Sequence, residues 1–379
     1  MKMMIKNSIR FLSVIVLFGI AGFAQAQSRQ PDWSFGPFIR PAKANPILSP
    51  DPASVFPDPM SGKSIAWEAS DVFNPAATVK GNSIFVLYRS EDRSGEGIGQ
   101  RTSRIGLAQS ADGIRMKRRP APVLFPADDD QQEFEWPGGC EDPRVAVTED
   151  GTYLMLYTQW NKKVPRLAVA TSRDLLTWKK HGPAFYKAYN GKFADMFSKS
   201  ASIVTQLVNG KQVISKVNGK YLMYWGEKFM NIATSDDLLN WEPMLNSQGE
   251  IKMIVTPRPG YFDSELTECG PPAIITSEGI LVMYNGKNLP GPKGDTNYTA
   301  NTYAAGQVLF DLKDPSKEIA RLNKPFFVPT ESFEKSGQYP AGTVFVEGLV
   351  FFKQKWFLYY GCADSRVAVA VYDPNKRLP

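Results

Sequence analysis

Two residue types that often build protein sites are scarce in this sequence. It contains three cysteines, Cys140, Cys269 and Cys362, and His181 is its only histidine. The odd count and the wide spacing give neither a metal-ligand cluster nor a disulfide framework. The sequence therefore predicts no metal and no cofactor. Three buried free thiols are the simplest interpretation, with one disulfide as the alternative.

The sequence also lacks a strong charge of either sign and any long apolar run after its first 26 residues. The formal charge is +6, and three of the positive charges lie in those first residues, which leaves about +3. So small a charge does not indicate a nucleic-acid partner. No later segment is long enough to serve as a membrane anchor.

The first 26 residues have the three parts of a secretory signal. Lys2, Lys6 and Arg10 supply the positive region, residues 11–23 form the apolar region, and residues 24–26 read Ala-Gln-Ala, a cleavage site. A retained anchor is the less favoured alternative because the apolar region is short for a bilayer. We expect an exported protein in the periplasm, with 353 of the 379 residues remaining.

A repeated unit follows a segment that is rich in proline and polar residues. That segment, residues 27–66, is expected to be an extended arm that packs on a domain over residues 67–379. Each unit spans roughly 60 to 70 residues and has three strands, of which the second ends in aromatic residues. First strands begin near residues 74, 142, 200, 270 and 340. Second strands cover 84–88, 153–157, 221–225, 280–284 and 356–360.

Five such units predict an all-β fold, a five-bladed β-propeller. A decorated β-sandwich is the alternative, but it does not explain five units in phase. Three of the third strands run into a turn of the form Ser-x-Asp, in which both side chains can bond to their own backbone. These turns begin at Ser110, Ser172 and Ser235.

Polar residues recur at two places in each unit, the start of the first strand and the end of the second. Because antiparallel neighbours place the start of one strand beside the end of the next, both sets should converge on one mouth. The first set is Asn74, Asp142 with Arg144, Lys199 and Glu268. The second set is Arg89, Gln159, Glu227, Asn285 and Asp364.

The predicted mouth combines carboxylates, cations and aromatic residues. Such a set suits glycoside cleavage, in which one carboxyl protonates the leaving oxygen and another activates water. Any single acid could instead form a rim salt bridge, and Glu141 could pair with Arg144 or point away. Further members of the mouth are Lys228 and the aromatic residues Trp136, Trp160, Trp225, Tyr303 and Tyr339.

Four motifs together resemble glycoside hydrolase family 130. They are Gly-Cys-Glu-Asp-Pro-Arg at 139–144, Phe-Asn-Pro-Ala at 73–76, Ser-Arg-Ile-Gly-Leu-Ala at 103–108 and Ser-Asp-Asp-Leu-Leu-Asn-Trp at 235–241. The resemblance implies a five-bladed propeller that acts on β-mannosides, as an inverting phosphorylase or as a hydrolase of β-1,2 linkages. It also implies an acid at Asp142 that acts through a substrate hydroxyl, and sugar contacts at Asn74, Arg89, Lys199 and Asp364.

The sequence departs from the phosphorylases of that family at one informative place. They bind phosphate with arginines and a histidine at the end of the second strand of the third unit, where this chain has Glu227. His181 is expected in a surface turn instead. A carboxylate repels phosphate and suits a general base that activates water.

We therefore expect an inverting β-mannosidase, for β-1,2-linked mannose oligosaccharides. A β-mannoside phosphorylase and a non-catalytic glycan-binding propeller are the alternatives, while chain-length preference, exo or endo action and oligomeric state stay open. Glu227 and Glu268 are the expected catalytic pair, and Asp142 holds the sugar or relays a proton. The expected substrate-binding residues are Asn74, Arg89, Arg144, Lys199, Asn285, Tyr303 and Asp364.

Overall fold

The structure is a computed structural model that describes residues 31–376, so the predicted signal at 1–26 lies outside the described residues. Residues 31–34 form a turn in which the Ser34 N–H donates to the Pro31 carbonyl, and a separate compact unit begins at Phe35. None of the helices within residues 31–376 combines the length and the apolar character that a membrane crossing requires.

Strands dominate the described chain, and they follow the predicted repeat. The arm contains β1 (Val55–Asp58) and β2 (Lys63–Ala66). The first group contains β3 (Asp71–Lys80), β4 (Ser83–Glu91), β5 (Ser103–Ser110) and β6 (Lys117–Arg118). After helix α1 (Gln132–Glu135), the second group contains β7 (Gly139–Val147), β8 (Tyr153–Trp160), β9 (Pro165–Ser172) and β10 (Lys179–Pro183).

The remaining three groups have the same order of principal strands. The third contains β11 (Ala201–Val208), β12 (Lys211–Ile214), β13 (Lys216–Val217), β14 (Lys220–Trp225), β15 (Met230–Ser235), β16 (Glu242–Pro243) and β17 (Met253–Val255). The fourth contains β18 (Leu266–Cys269), β19 (Ala273–Ile275), β20 (Ile280–Lys287), the 3-10 turn Gly291–Lys293, β21 (Tyr303–Phe310) and β22 (Glu318–Arg321). After the 3-10 turn Ser332–Glu334, the fifth contains β23 (Val344–Phe352), β24 (Lys355–Cys362) and β25 (Arg366–Tyr372).

Each group is an antiparallel meander, and the groups are joined through their edges. Parallel pairing of β5 with β7 links the first two groups, and parallel pairing of β11 with β19 links the third to the fourth. The first strands are also neighbours in space, because β3 contacts both β7 and β23, and β7 contacts β11. The all-β class is thus confirmed, with strand boundaries close to those expected from sequence.

The hydrophobic cores lie between successive groups rather than inside one group. One cluster joins groups one and two, a second joins two and three, a third joins three and four, and a small one joins four and five. The last cluster packs group five on group one together with Leu48, Phe56 and Trp67. Both faces of each meander are therefore buried, which leaves the strand ends as the places where polar side chains reach solvent.

The chain between Phe35 and Ala66 contacts the last strands. Ile39 and Leu48 form single bridges to Val371 and Val367 of β25, and the Asn45 side chain bonds to both backbone groups of Val369. Arg40 pairs with the buried Glu334 at 2.7 Å. These contacts carry residues 39–48 along the fifth group, and Phe56 then packs in the cluster between the fifth and first groups.

A backbone irregularity near the start of the first strands directs polar side chains to one place. β3 and β7 have register shifts at Asn74 and Asp142, whose φ angles are 46° and 48°, and Ser200, just before β11, has φ 56°. Bulges of this kind turn a side chain out of the regular alternation. Between β18 and β19 the same place is occupied by Gly270, where a Cβ atom would lie 2.8 Å from the Met283 carbonyl oxygen.

Two expectations about scarce residues have different outcomes. All three cysteines are free and buried, as the simplest interpretation predicted. The prediction of a surface turn around His181 is wrong, because this residue lies in β10, is partly buried, and its Nε2 is 2.8 Å from Thr171 Oγ1. The short run of β10 against β9 was concealed in the sequence by lysine and glycine neighbours.

Candidate active site

A single pocket gathers eight of the ten predicted site residues at the mouth of the first strands. Its volume, which includes the open mouth, is about 580 Å³. The predicted residues in its wall are Asn74, Arg89, Asp142, Lys199, Glu227, Glu268, Tyr303 and Asp364. Its other residues are Phe73, Glu91, Ile98, Gln338, Tyr339 and Phe345.

Arg89 organises one side of the pocket. Its Nη1 donates to Asp142 Oδ1 at 3.0 Å, while its Nη2 donates to Glu91 at 2.6 Å and to Glu141 at 2.8 Å. The Asn74 amide donates to the same Asp142 oxygen at 2.8 Å. One guanidinium therefore fixes three carboxylates, and the earlier idea that Glu141 pairs with Arg144 is wrong, because its partner is Arg89.

Opposite charges make Asp142 and Glu141 chemically different although they are adjacent. Burial acts to raise the pKa of Asp142, but Arg89, Lys199 and Arg144 outweigh it and hold that pKa below its ordinary value. Burial dominates at Glu141 and raises its pKa to about 7, with the Asp142 charge acting in the same direction against Arg89. Asp142 is therefore ionised at neutral pH and accepts hydrogen bonds.

Lys199 organises the other side, between the two expected catalytic acids. Its Nζ lies 3.3 Å from Glu227 Oε1 and 3.8 Å from Glu268 Oε1. Since both distances share one nitrogen, the two carboxylate oxygens are at most about 7 Å apart. The Ser200 hydroxyl donates to the same Glu268 oxygen, so that carboxylate has a fixed orientation.

The two glutamates differ in their access to solvent. The Glu227 side chain is 32% exposed and follows the end of β14, whereas that of Glu268 is 3% exposed within β18. Burial raises the pKa of Glu268 to about 7, with Glu227 adding to the effect and Lys199 opposing it. A carboxyl that keeps its proton near neutral pH suits a general acid, and a carboxylate in contact with solvent suits a base that activates water.

Asp364 and two tyrosines complete the wall from the fourth and fifth groups. Asp364 follows β24 at a φ of 50°, and the Gln338 side chain donates to its carbonyl at 3.0 Å. Burial raises the pKa of Asp364 to about 7, against the influence of Arg89. The rings of Tyr303 and Tyr339 meet edge to face, 5.5 Å apart between centroids, and present an aromatic surface beside the acids.

Arg144, a predicted substrate contact, is not in the pocket wall. It is buried beneath the pocket and donates to the carbonyl oxygens of Asp142 at 3.0 Å, Cys269 at 2.9 Å and Gly270 at 3.4 Å. Its Nη2 is also 2.9 Å from the buried Glu347 carboxylate. One guanidinium thus ties the backbone around Asp142 to the backbone that follows Glu268.

Asn285 also lies outside the pocket wall. Its side chain accepts from the Val346 N–H at 2.8 Å and donates to the Val346 carbonyl at 3.2 Å, so it joins β20 to β23. Gln159 is likewise committed elsewhere, to Gln131 and Glu135. A polar residue at a strand end therefore reaches the pocket only where the local backbone turns it inward.

Sequence reasoning missed several residues that shape the site. Glu91 could have been found, because it stands two residues after Arg89 and strand side chains two apart share a face. Ser200 was read only as the start of a strand, although it bonds to Glu268. Gln338 and Glu347 gave no usable signal, since the sequence repeat places neither of them at a strand start or at a strand end. Among residues 31–376, no group of His, Cys, Asp and Glu is arranged to hold a metal ion.

Comparisons with known proteins identify one family. The model of the glycoside hydrolase 130 family, described as β-1,4-mannooligosaccharide phosphorylase, matches residues 42–377. The 1,2-β-oligomannan phosphorylase of Thermoanaerobacter sp. (strain X514) is 33% identical over 311 residues, which cover 81% of this chain and 91% of that protein.

Two solved structures are more similar still. A glycosyl hydrolase from Bacteroides ovatus is 61% identical with a TM-score of 0.91, covering 92% of this chain and 97% of the other. A structure described as "The GH130 family of mannoside phosphorylases contains glycoside hydrolases that target beta-1,2 mannosidic linkages in Candida mannan" is 59% identical, with the same TM-score and the same coverage. On the family model and these relatives, the chain belongs to glycoside hydrolase family 130.

Proposed function

We propose that this protein hydrolyses β-1,2-linked mannosides with inversion at the anomeric carbon. Membership of family 130 supports action on β-mannosides, and the descriptions of two of the relatives named above mention β-1,2 linkages. The choice of water over phosphate as the attacking group rests on the charges of the pocket.

The observation that carries the proposal is the excess of carboxylates in the pocket wall. Five acids line it, namely Glu91, Asp142, Glu227, Glu268 and Asp364, against two cations. Both cations already have partners, since Arg89 contacts three carboxylates and Lys199 lies between two. A phosphate dianion would meet net repulsion there, whereas a water molecule would not.

The proposed reaction uses the two glutamates in separate roles. Glu227 accepts a proton from water as the water oxygen bonds to the anomeric carbon. Glu268 gives its proton to the leaving oxygen as the glycosidic bond breaks. Asp142, held by Asn74 and Arg89, accepts hydrogen bonds from the hydroxyls of the reacting sugar. The proton count balances, because one proton enters through Glu227 and one leaves through Glu268.

We propose a five-bladed propeller as the architecture of residues 67–376. In its favour are five successive meanders, apolar clusters between each pair of neighbours, and packing of the fifth group on the first.

We also propose export to the periplasm, from the signal pattern of residues 1–26. Outside the cytoplasm, phosphorolysis would release a sugar phosphate that the cell cannot retain, which favours hydrolysis.

A phosphorylase is the second candidate, and the names of the curated relatives favour it. The deciding experiment incubates the purified protein with β-1,2-mannobiose, with and without phosphate, and identifies the products. We expect mannose at a rate that does not depend on phosphate. Mannose 1-phosphate in a yield that rises with phosphate concentration would establish phosphorolysis, and binding without any product would indicate a glycan-binding protein.

The stereochemical part of the proposal has its own test. Inverting enzymes hold their carboxyls about 6.5 to 9.5 Å apart, and retaining enzymes about 5 Å. The Glu227 and Glu268 oxygens that face Lys199 are at most about 7 Å apart, a limit that includes both ranges, so the anomer of the product decides between them. Proton NMR in the first minutes of reaction should detect α-mannose as the first product. β-Mannose at that time would mean retention, with one glutamate acting as nucleophile.

A further inference from the structure

A second depression lies beside the catalytic pocket, and it is called the side groove here. Its volume, including its open side, is about 670 Å³. Its wall includes Phe197, Trp225, Phe229 and Met253, together with the polar residues Lys228 and Asn231. We propose that the side groove binds sugar units of the substrate chain beyond the two that flank the cleaved bond. This inference rests on the proposed function.

The side groove is continuous with the catalytic pocket. Lys199 and Glu227 belong to the walls of both. A turn at Gly226, with φ 125°, allows this, because a Cβ atom there would lie 2.1 Å from the Phe229 carbonyl oxygen. The turn sends the Glu227 side chain to the pocket wall while Phe229 lines the groove. An oligosaccharide that has one unit beside Glu227 can therefore continue directly into the side groove.

The surface of the side groove is unusually apolar for a solvent-facing wall. Phe197 is 58% exposed and Met253 is 53% exposed, although side chains of this kind are usually buried. Exposed apolar surface at a depression marks a binding site more often than chance. Sugar rings present C–H faces and hydroxyl edges, which match a wall of aromatic residues with a few polar groups.

A buried polar atom provides a second, independent observation. Trp225 is only 3% exposed, and its indole Nε1 is buried with no hydrogen-bond partner among residues 31–376. Such an atom normally has a partner when the site is complete. Because Trp225 lies in the wall of the side groove, a sugar hydroxyl that settles there with a small shift of the ring would supply the missing acceptor.

The test compares substrates of different length. Wild-type protein is assayed with β-1,2-mannobiose, mannotriose and mannotetraose, and the double variant Phe197→Ala/Met253→Ala is assayed in parallel. We expect the variant to lose about tenfold in kcat/KM on mannotetraose, which corresponds to about 1.4 kcal/mol of lost contact, and clearly less on mannobiose. Ile39→Ala, an equally exposed apolar residue in the arm, is the matched control and should change neither.

Equal losses on all three lengths would overturn the proposal, as would a wild-type enzyme with no length dependence. Binding provides a measurement that does not require turnover. In the Glu268→Gln background, calorimetry should give tighter binding of mannotetraose than of mannobiose, and the groove substitutions should remove that difference. If no mannoside is cleaved at all, the proposed function fails, while these titrations still decide whether the side groove holds sugar units.

Discussion

Acidic residues occupy both ends of the repeated strands, and the two sets behave in opposite ways. At the pocket end, burial raises the pKa of Glu141, Glu268 and Asp364 to about 7. At the other end, where third strands run into the Ser-x-Asp turns, slight burial is outweighed by hydrogen bonds from the backbone of Asn240 and Leu239, which lower the pKa of Asp237 to about 2.

The difference follows from what surrounds each carboxylate. The turn aspartates accept two backbone N–H groups each, from Ile114 and Arg115, from Leu176 and Thr177, and from Leu239 and Asn240. Those bonds favour the charged form and occupy Oδ1 of each carboxylate. The acids of the pocket outnumber its two cations, so some of these acids must stay protonated or gain hydrogen-bond donors only when a substrate binds. A repeated acid therefore indicates chemistry only where its hydrogen-bonding capacity is not used by its own loop.

The largest effect should come from the pair of pocket glutamates. Glu227→Gln and Glu268→Gln each remove one proton-transfer group while conserving shape. We expect each variant to lose about 100-fold to 10,000-fold in kcat on β-1,2-mannobiose, the usual contribution of a general acid or base. Glu265→Gln is the control, since Glu265 pairs with Lys287 outside the pocket wall. Activity near that of wild type in either pocket variant would remove that residue from the mechanism.

The second largest effect tests what holds the pocket acids in place. Arg144→Lys keeps the charge but cannot reach three carbonyl oxygens and the Glu347 carboxylate together. Buried acceptors that lose their donors cost about 1 to 3 kcal/mol each. We expect the free energy of unfolding to fall by about 2 to 4 kcal/mol in urea denaturation, with a lower kcat. Arg173→Lys, at an exposed pair with Asp150, is the control, and an equal change in both variants would contradict the prediction.

How far the sequence predicts this molecule depends on the periodicity of each feature. Second strands such as 153–157 and 280–284 were located correctly, because a continuous apolar run that ends in an aromatic residue repeats five times. The fifth first strand was expected from residue 340, but β23 begins at Val344, since proline and glycine before it had been counted as part of the strand. Convergence of strand starts and ends on one pocket followed from antiparallel pairing alone.

The remaining parts of the site depend on local backbone conformations, which the residue types alone do not predict. Asn74 and Asp142, near the starts of first strands, reach the pocket through bulges with positive φ, whereas Asn285, near the end of a second strand, bonds to the neighbouring strand. Glu347 stands at the corresponding bulge of β23, yet it is buried under the pocket with Arg144. The sequence identifies polar residues at strand ends. Only the three-dimensional packing distinguishes those that line the pocket from those that are buried beneath it and support its backbone.

A pH-dependent effect should distinguish a pocket acid from a surface acid. The pKa of Asp364 is about 7 in the folded protein against an ordinary 3.8, so the folded state binds this proton more tightly than the unfolded state. Stability from this group is thus lost as pH rises from about 4 to about 7. Asp364→Asn avoids that loss, and its Tm relative to wild type should be higher at pH 8 than at pH 5. The exposed Asp128→Asn should give no such trend, and a constant Tm difference for Asp364→Asn would refute the assignment.

The smallest effect is expected at the aspartates of the Ser-x-Asp turns, which should contribute to stability and not to catalysis. Asp237→Ala removes the acceptor for two backbone N–H groups, while the Ser235 hydroxyl keeps its bond from the Leu238 N–H. A local side-chain to backbone bond of this kind contributes about 1 kcal/mol. We expect that loss in the free energy of unfolding and an unchanged kcat, because the turn lies at the strand end opposite the pocket. The neighbouring Asp236→Ala is the control, since the Asp236 side chain is exposed and forms a surface pair with Lys220. A fall in kcat without a fall in stability would mean that the two ends of the strands are coupled. The acids at the turn end would then contribute to catalysis as well as the acids at the pocket end.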